Sequence, residues 1–437
     1  MITLESLLLL LIGLFAGRMF SAGFVGQYFN LGMDSLLKWQ ITSTGFLVDI
    51  ITIGGFLGSL WRAQRPWTDR QKLHYFSVVS CVMLFVVIFF TFSVRLLNNK
   101  PLAAHDGVVQ TEVAATMILH GQNPYAANFT GTPFAAFHTI RPDGTQSVVL
   151  QHYPYPPLIP LLTVPAILVE RLIHFTPDGR VVTALIFFLT AWALIRLMPT
   201  DRQKTWVVLG VLINPLFMSY ALLGMNDIIM VSGLIFTAIL ARQKKWRLAG
   251  ITIALAIAAK QTALLALPLW AWWLWLEMRH GQVTKRKLWQ SFGLTAAVVT
   301  ALYLPFILWN PAAFYDDTVR FVSGVVPHTY PIGGDSLWQF LVMGHFVPDA
   351  WVTTSTLLPL LLAAVLVIPL ACWWIRRRAV ASQWLTSVVL VIFVVSLVNR
   401  YFYENYLSAV VLLAVAAYCI SLVDRPEKTI ARPPDKA

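Results

Sequence analysis

Long stretches of this chain carry no charge at all: Leu7 to Phe15, Val78 to Phe92, Val181 to Ile195 and Val388 to Val398 are four of them. A helix needs roughly 20 apolar residues to cross a hydrocarbon core, and runs approaching that length recur from end to end, giving about 13 candidate helices. Only 12% of the 437 residues are charged, about half the share of a water-soluble domain. The expected fold is therefore all-α: a polytopic transmembrane bundle of about 12–13 helices, with one of them re-entrant or partial. A long first external loop would carry short helices of its own.

The charges that remain sit in short connections. Arg62, Arg65, Arg70 and Lys72 form one cluster; Arg242, Lys244, Lys245 and Arg247 another; Arg279, Lys285, Arg286 and Lys287 a third; Arg376, Arg377 and Arg378 a fourth. Loops this basic lie on the cytoplasmic side of membrane proteins. The net charge of +12 is thus directed at anionic lipid headgroups, not at nucleic acid. Two N-terminal helices (Leu4 to Gly23 and Ser43 to Leu60) enter and return, and a third (Tyr75 to Leu97) delivers residues 98–157 to the exterior. That loop contains only Lys100 and Arg141 as cations, and a second external loop at 310–355 contains only Arg320. The organisation expected is residues 1–74 as two extra helices and a basic turn, 75–423 as the functional membrane module, and 424–437 as a disordered cytoplasmic tail. With both termini inside, the number of crossings is even, so one candidate fails to span. The failure falls between Pro157 and Leu223, where the segment Leu158 to Ile173 is short and broken by Pro160 and Pro165; such backbone at membrane depth lines a site or is buried in protein. Cys81, Cys372 and Cys419 lie within apolar runs and fit small buried side chains better than a disulfide framework or metal ligands.

Polar residues gather where the helices emerge on the outer side. The first loop opens with His105-Asp106-Gly107, passes Glu112 and ends its first part at Gly121-Gln122-Asn123-Pro124-Tyr125. The segment Thr111 to His120 has helical spacing. Asp106 stands where water-borne and lipid-borne reactants meet, or else caps the helix that follows; Glu112 is a second acid or a first-turn charge near a helix N-terminus. The loop closes with His152-Tyr153-Pro154-Tyr155-Pro156-Pro157, a rigid extended lead-in to the next membrane segment. Its tyrosines suit an aromatic belt as well as a ligand, and His152 suits a phosphate, a sugar or plain solvent. Asn226-Asp227 follows Gly224-Met225 between two apolar runs. Lys260, flanked by Ala259 and Gln261 deep in apolar sequence, is a functional, paired or snorkelling cation. Arg400 is an unusual cation for the outer side and can grip a phosphate through two parallel bonds or pair with Glu404 at i, i+4. No nucleotide-binding, zinc-protease or nucleophile-elbow motif occurs, and neither a cofactor nor a metal is indicated.

Taken in order, His105-Asp106 through Asn123-Pro124-Tyr125, Tyr155-Pro156-Pro157-Leu158, Asn214-Pro215, Gly224-Met225-Asn226-Asp227 and Lys260-Gln261-Thr262 through Leu267-Pro268 resemble the GT-C glycosyltransferases, above all the bacterial and archaeal polyprenyl-phosphate-mannose-dependent mannosyltransferases. The resemblance spans Tyr75 to Leu276. It implies a GT-C-like membrane module, a catalytic carboxylate in the first external loop at Asp106, and inverting transfer of a hexose or pentose from a polyprenyl-phosphate sugar. The acceptor would be a glycolipid or glycan at the extracytoplasmic face of the cell membrane. His105, Glu112, Tyr125, His152, Tyr155, Asn226, Asp227, Lys260, Gln261, Arg400 and Glu404 are the candidate substrate-binding residues. Many relatives carry Asp-x-Asp or adjacent acids, whereas Val108 stands two residues after Asp106 here. A transporter or flippase for a lipid-linked sugar is the rival reading, and a non-catalytic partner of envelope enzymes the third. A transporter would concentrate polar groups at mid-bilayer in paired halves, whereas these collect at one face.

Overall fold

The computed structural model describes residues 3–19, 35–98, 104–137, 148–172, 178–327, 329–350, 352–353, 355–376 and 380–424. Lys100, Arg141, Arg377, Arg378 and the tail beyond Asp424 lie outside the described residues, so the expectations placed on them have no structural counterpart.

The fold is helical almost throughout. In chain order the helices are α1 (Leu4–Met19), α2 (Ser35–Arg62), α3 (Asp69–Asn98), α4 (Asp106–Leu119), α5 (Leu158–Leu172), α6 (Arg180–Leu197), α7 (Asp201–Val207), α8 (Pro215–Leu222), α9 (Asp227–Arg242), α10 (Trp246–Ala259), α11 (Ala266–Arg279), α12 (Lys285–Trp309), α13 (Pro311–Tyr315), α14 (Leu337–Met343), α15 (Leu357–Ile375), α16 (Ala381–Leu397) and α17 (Glu404–Asp424). Among the described residues, strands amount to one parallel pair of two residues each, Gly333–Gly334 (β1) against Tyr401–Phe402 (β2).

Among the described residues six helices are long and apolar enough to cross a membrane, drawn from α2, α3, α6, α12, α15 and α17. Their outward faces present Phe85, Leu185, Val365 and Leu366 to the surroundings, which water would penalise as a contiguous patch and lipid accepts. The protein is an integral multi-pass membrane protein. The number of long spans is smaller than the apolar runs suggest, because several runs are cut by local backbone chemistry. Residues 201–222 are the clearest case. A π-helical turn at Val208–Leu212 runs into Asn214-Pro215, where Asn214 Oδ1 accepts from Leu216 N at 3.1 Å and the proline has no donor to continue the previous helix. The two halves, Asp201–Leu212 and Pro215–Leu222, bend by 60°. The break thus falls within the 157–223 region where a non-spanning segment is expected, although α5 itself runs through Pro165 as one helix. A second break separates α10 from α11 at Lys260 and the 3₁₀ turn Gln261–Leu265.

α1 and α3 pack against the bent pair, and α2 packs on α1 and α3: Leu9 and Ala16 of α1, Val48 of α2, and Phe76 and Met83 of α3 share a buried cluster with Leu209, Ile213, Met218 and Leu222. The main core joins α6 to α12 and α15 to α17, and includes Trp246, Trp270, Trp273 and Trp384. The basic α9–α10 and α11–α12 connections meet the start of α16 and the end of α17 at one end of the bundle. Arg242 Nε reaches Asp424 Oδ1 at 3.1 Å, Ser382 N donates to Asp424 Oδ2 at 2.9 Å, and Lys244 Nζ donates to Gln282 Oε1 at 2.7 Å. The starts of α4, α9, α15 and α17 and the end of α10 meet at the opposite end, around a cavity.

Candidate active site

That cavity has a volume of about 720 Å³ and draws its lining from distant parts of the chain. His105 and Asp106 come from the start of α4, Tyr155 from the proline-rich lead-in to α5, Asn226 and Asp227 from the start of α9. Lys260 and Gln261 come from the α10–α11 break, and Glu404, Asn405 and Tyr406 from the start of α17. Eight residues anticipated from the sequence therefore share one space: His105, Asp106, Tyr155, Asn226, Asp227, Lys260, Gln261 and Glu404. Tyr330, Tyr401, Tyr403 and Tyr406 add an aromatic wall, of a kind that packs well on the apolar faces of sugar rings.

Each group is held by local structure. α4 starts at Asp106, earlier than the helical spacing from Thr111 suggests, because His105 takes an extended conformation and caps it. His105 N donates to Leu223 O at 2.8 Å, and Gly107 N donates to Asp106 Oδ1 at 2.6 Å. His105 Nδ1 lies 2.9 Å from Asp106 Oδ1. Burial works to lower the imidazole's proton affinity, but the Asp106 and Asp227 carboxylates together outweigh it and hold the His105 pKa above the ordinary histidine value. Gly107 has no Cβ for a reason: one built there would sit 2.3 Å from the Tyr155 hydroxyl. Gly224 adopts a φ of 78°, the left-handed turn that sends the chain from α8 into Asn226-Asp227.

Lys260 is paired. Its ammonium binds Asp227 Oδ1 and lies 4.3 Å from the centre of the Tyr406 ring, while Asn405 Nδ2 donates to Asp227 Oδ2 at 2.8 Å. Gln261 Nε2 donates to Pro154 O at 2.9 Å and to Thr318 O at 3.3 Å, fastening the α10–α11 break to two walls of the cavity.

Four candidates lie elsewhere. Glu112 is buried between Arg95, which approaches it at 2.5 and 2.8 Å, and the Gly179 amide at 2.6 Å; burial raises its pKa, with Arg95 opposing. Tyr125 is buried against Phe314, Tyr153 and Phe306 and donates to Tyr155 O at 2.8 Å, so it supports the cavity wall from behind. His152 faces away from the cavity, with Nδ1 2.7 Å from Asp317 Oδ1. Burial pushes the Asp317 carboxyl up to about 6, against the pull of that hydrogen bond. Arg400 spends its guanidinium on backbone carbonyls, Tyr330 O at 2.7 Å and Val352 O at 2.7 Å, and so ties the second long loop to the α16–α17 link. Since α17 begins at Glu404, Arg400 precedes the helix and the two residues do not share its i, i+4 register.

One group among the described residues could hold a metal ion: His152, Asp316 and Asp317 offer ligand atoms within 4.8 Å of one another. The protein satisfies much of their bonding capacity itself, through the His152–Asp317 contact, Tyr153 N on Asp317 Oδ2 at 2.8 Å and Arg320 on Asp316 Oδ1 at 2.6 Å.

A family model for glycosyltransferases, family 87, matches residues 153–399. The chain belongs to glycosyltransferase family 87. No curated protein and no solved structure matches it. The family 87 match runs from the lead-in to α5 through the end of α16. It includes Tyr155, Asn226, Asp227, Lys260 and Gln261, and leaves His105, Asp106 and Glu404 outside, although the cavity joins both sets. As a membrane-embedded member of family 87, this protein is a glycosyltransferase whose substrates are a sugar donor and an acceptor.

Two residues that line this family 87 member's cavity give no signal in the sequence, and a charge network outside it is not among the sequence expectations. Asn405 and Tyr406 matter because they meet Asp227 and Lys260, and nothing local to them marks that meeting. Arg95, Asp178 and Arg180 form a buried charge network with Glu112. For Arg95 and Arg180 a signal exists, since each borders a long apolar run and a cation there is costly unless paired.

Proposed function

We propose that the protein is a GT-C type transferase that moves a sugar, mannose or another hexose or pentose, from a polyprenyl-phosphate donor to a hydroxyl of a glycolipid or glycan at the extracytoplasmic face. Residues 75–423 would be the catalytic module. The observation that carries this reading is the presence of Asp106 and Lys260 in one cavity, at the end of the bundle opposite the basic turns. Asp106 is the base: it takes the acceptor's hydroxyl proton as the new bond forms at the anomeric carbon and the bond to the donor phosphate breaks on the other side of the ring, inverting the configuration. The leaving group is a phosphate, already a stable anion, so fixed positive charge stabilises it electrostatically. Lys260 supplies that charge, with Asp227 and Asn405 fixing its position. Leu264, Val319, Val322, Leu357 and Leu360 give the same cavity an apolar side, suited to a lipid carrier.

Purified protein in detergent, given a radiolabelled polyprenyl-phosphate mannose and an envelope lipid extract, is expected to form a new glycosidic bond and release polyprenyl phosphate. Movement of the intact lipid-linked sugar across reconstituted vesicles, with no such bond formed from any hexosyl or pentosyl donor, would establish the flippase reading instead.

A further inference from the structure

We propose that His105 is an imidazolium that serves as a second cationic contact for the donor phosphate, with its Nδ1–H on Asp106 and its Nε2–H offered to a phosphate oxygen. This deepens the reading of Asp106 as the base and rests on it.

The first observation concerns one nitrogen with two neighbours. His105 Nδ1 lies 3.1 Å from Gly107 N and 2.9 Å from Asp106 Oδ1. A bare Nδ1 can accept from the Gly107 amide, and a protonated one can donate to Asp106, but it cannot do both. The Gly107 amide has a closer acceptor in Asp106 Oδ1 at 2.6 Å, so the proton belongs on Nδ1. Secondly, Nε2 makes no hydrogen bond among the described residues, while His105 lines the cavity and its side chain is 29% exposed. A proton on Nδ1 alone would leave Nε2 with a lone pair facing an anionic substrate. The doubly protonated ring presents a donor.

Charge balance supplies the third observation. Asp106, Asp227 and Glu404 line the cavity, and Lys260 is the one Lys or Arg among the described lining residues, already bound to Asp227. Arg400, the other cation expected there, donates to carbonyls elsewhere. A donor phosphodiester that gains a second negative charge on departure meets too little positive charge unless another cation is present. Among the described residues, the charged groups around His105 are Asp106 on its own helix, Asp227 from α9 and Lys260 from the α10–α11 break; the two carboxylates favour the imidazolium and the ammonium opposes it.

In the reaction, the acceptor proton passes to Asp106 as the acceptor oxygen bonds to the anomeric carbon. The electron pair of the breaking carbon–oxygen bond goes to the phosphate, which takes hydrogen bonds from His105 Nε2–H and from Lys260. His105 keeps both protons throughout.

The test is the pH profile of the full-length enzyme and of His105→Asn and His105→Lys, together with inhibition by polyprenyl monophosphate. Wild-type turnover is expected to fall on the alkaline side as the ring loses its proton. Asparagine preserves a donor near Nδ1 but no cation. His105→Asn should therefore lose about 100-fold in kcat, bind the monophosphate about 10-fold more weakly and lack the alkaline limb. His105→Lys should retain activity at alkaline pH where the wild type has fallen. Thermal melting in detergent identifies a variant that fails to fold, and product binding by the folded His105→Lys protein then serves as the deciding measurement. Wild-type turnover by His105→Asn, with its alkaline limb unmoved, would overturn the inference while an inactive Asp106→Asn left the base assignment standing. Turnover that rises as the ring deprotonates would overturn it too, by making neutral His105 the base.

Discussion

Asp106 and Gly107 occupy one turn of backbone, and Asp106 lines the cavity. A methyl group at 107 would meet the Tyr155 hydroxyl at 2.3 Å and its Cζ at 3.1 Å. The ring would be driven from the cavity wall, with Tyr125 bonded to the carbonyl behind it. Gly107→Ala is expected to lower kcat about 10- to 100-fold through misplacement of the wall; adding Tyr155→Phe, which removes the clashing oxygen, should recover part of the loss. Steady-state kinetics on the single and double variants check this, and a fully active Gly107→Ala contradicts it. At this scale the sequence is partly readable. An acid just past a membrane helix, a lysine embedded in apolar sequence and a carboxylate after Gly224 each stand out, the lysine because a cation at membrane depth is expensive without a partner. Who pairs with whom is not readable: Lys260 finds its carboxylate 33 positions earlier in the chain, and Asn405 reaches the same carboxylate from 178 positions away. Arg400 resembles a phosphate ligand because an outward cation is rare, yet its bonds go to backbone carbonyls that only the folded loop brings near.

The helix that presents Asp106 is anchored well away from the cavity. Glu112 lies on α4, Arg95 on α3, and Asp178 just before α6. Arg95 binds both carboxylates, and Arg180 binds Asp178 at 2.6 Å and Leu222 O at 3.1 Å. Burial acts to raise the Asp178 pKa, but Arg180 and Arg95 more than compensate and hold it below the ordinary carboxylate value. Arg95→Met leaves two buried carboxylates short of a cation and should cost about 3–5 kcal/mol, read as a clear fall in melting temperature in detergent. Combining it with Glu112→Gln should cost less than the two single changes summed; strict additivity would show that the pair is not coupled. The sequence signals the existence of these helices through their apolar runs but not where they stop. Asn214-Pro215 and Lys260-Gln261 cut two of those runs, and hydropathy averages across such breaks. The α4 start is hidden for a similar reason: His105 caps the helix through its own backbone conformation, which apolar spacing does not record.

The whole molecule is a bundle with two dissimilar ends, one carrying the basic turns and the other the cavity. Charge placement along the chain makes that polarity legible, because basic loops segregate to one side of a membrane. Less legible is how the family 87 segment, 153–399, is completed by residues on either side of it. Of the extra N-terminal helices, α1 packs on the bent pair, at whose end the Leu222 and Leu223 carbonyls hold Arg180 and the His105 amide. The proposed chemistry rests on the carboxylate at the start of α4. The measurement that tests it most directly is single-turnover transfer by Asp106→Asn, beside wild type, with donor binding and thermal melting measured on the same samples. With Asp106 as the base, the variant folds and binds donor while turnover falls by at least about 100-fold; turnover within a few-fold of wild type would rule that role out.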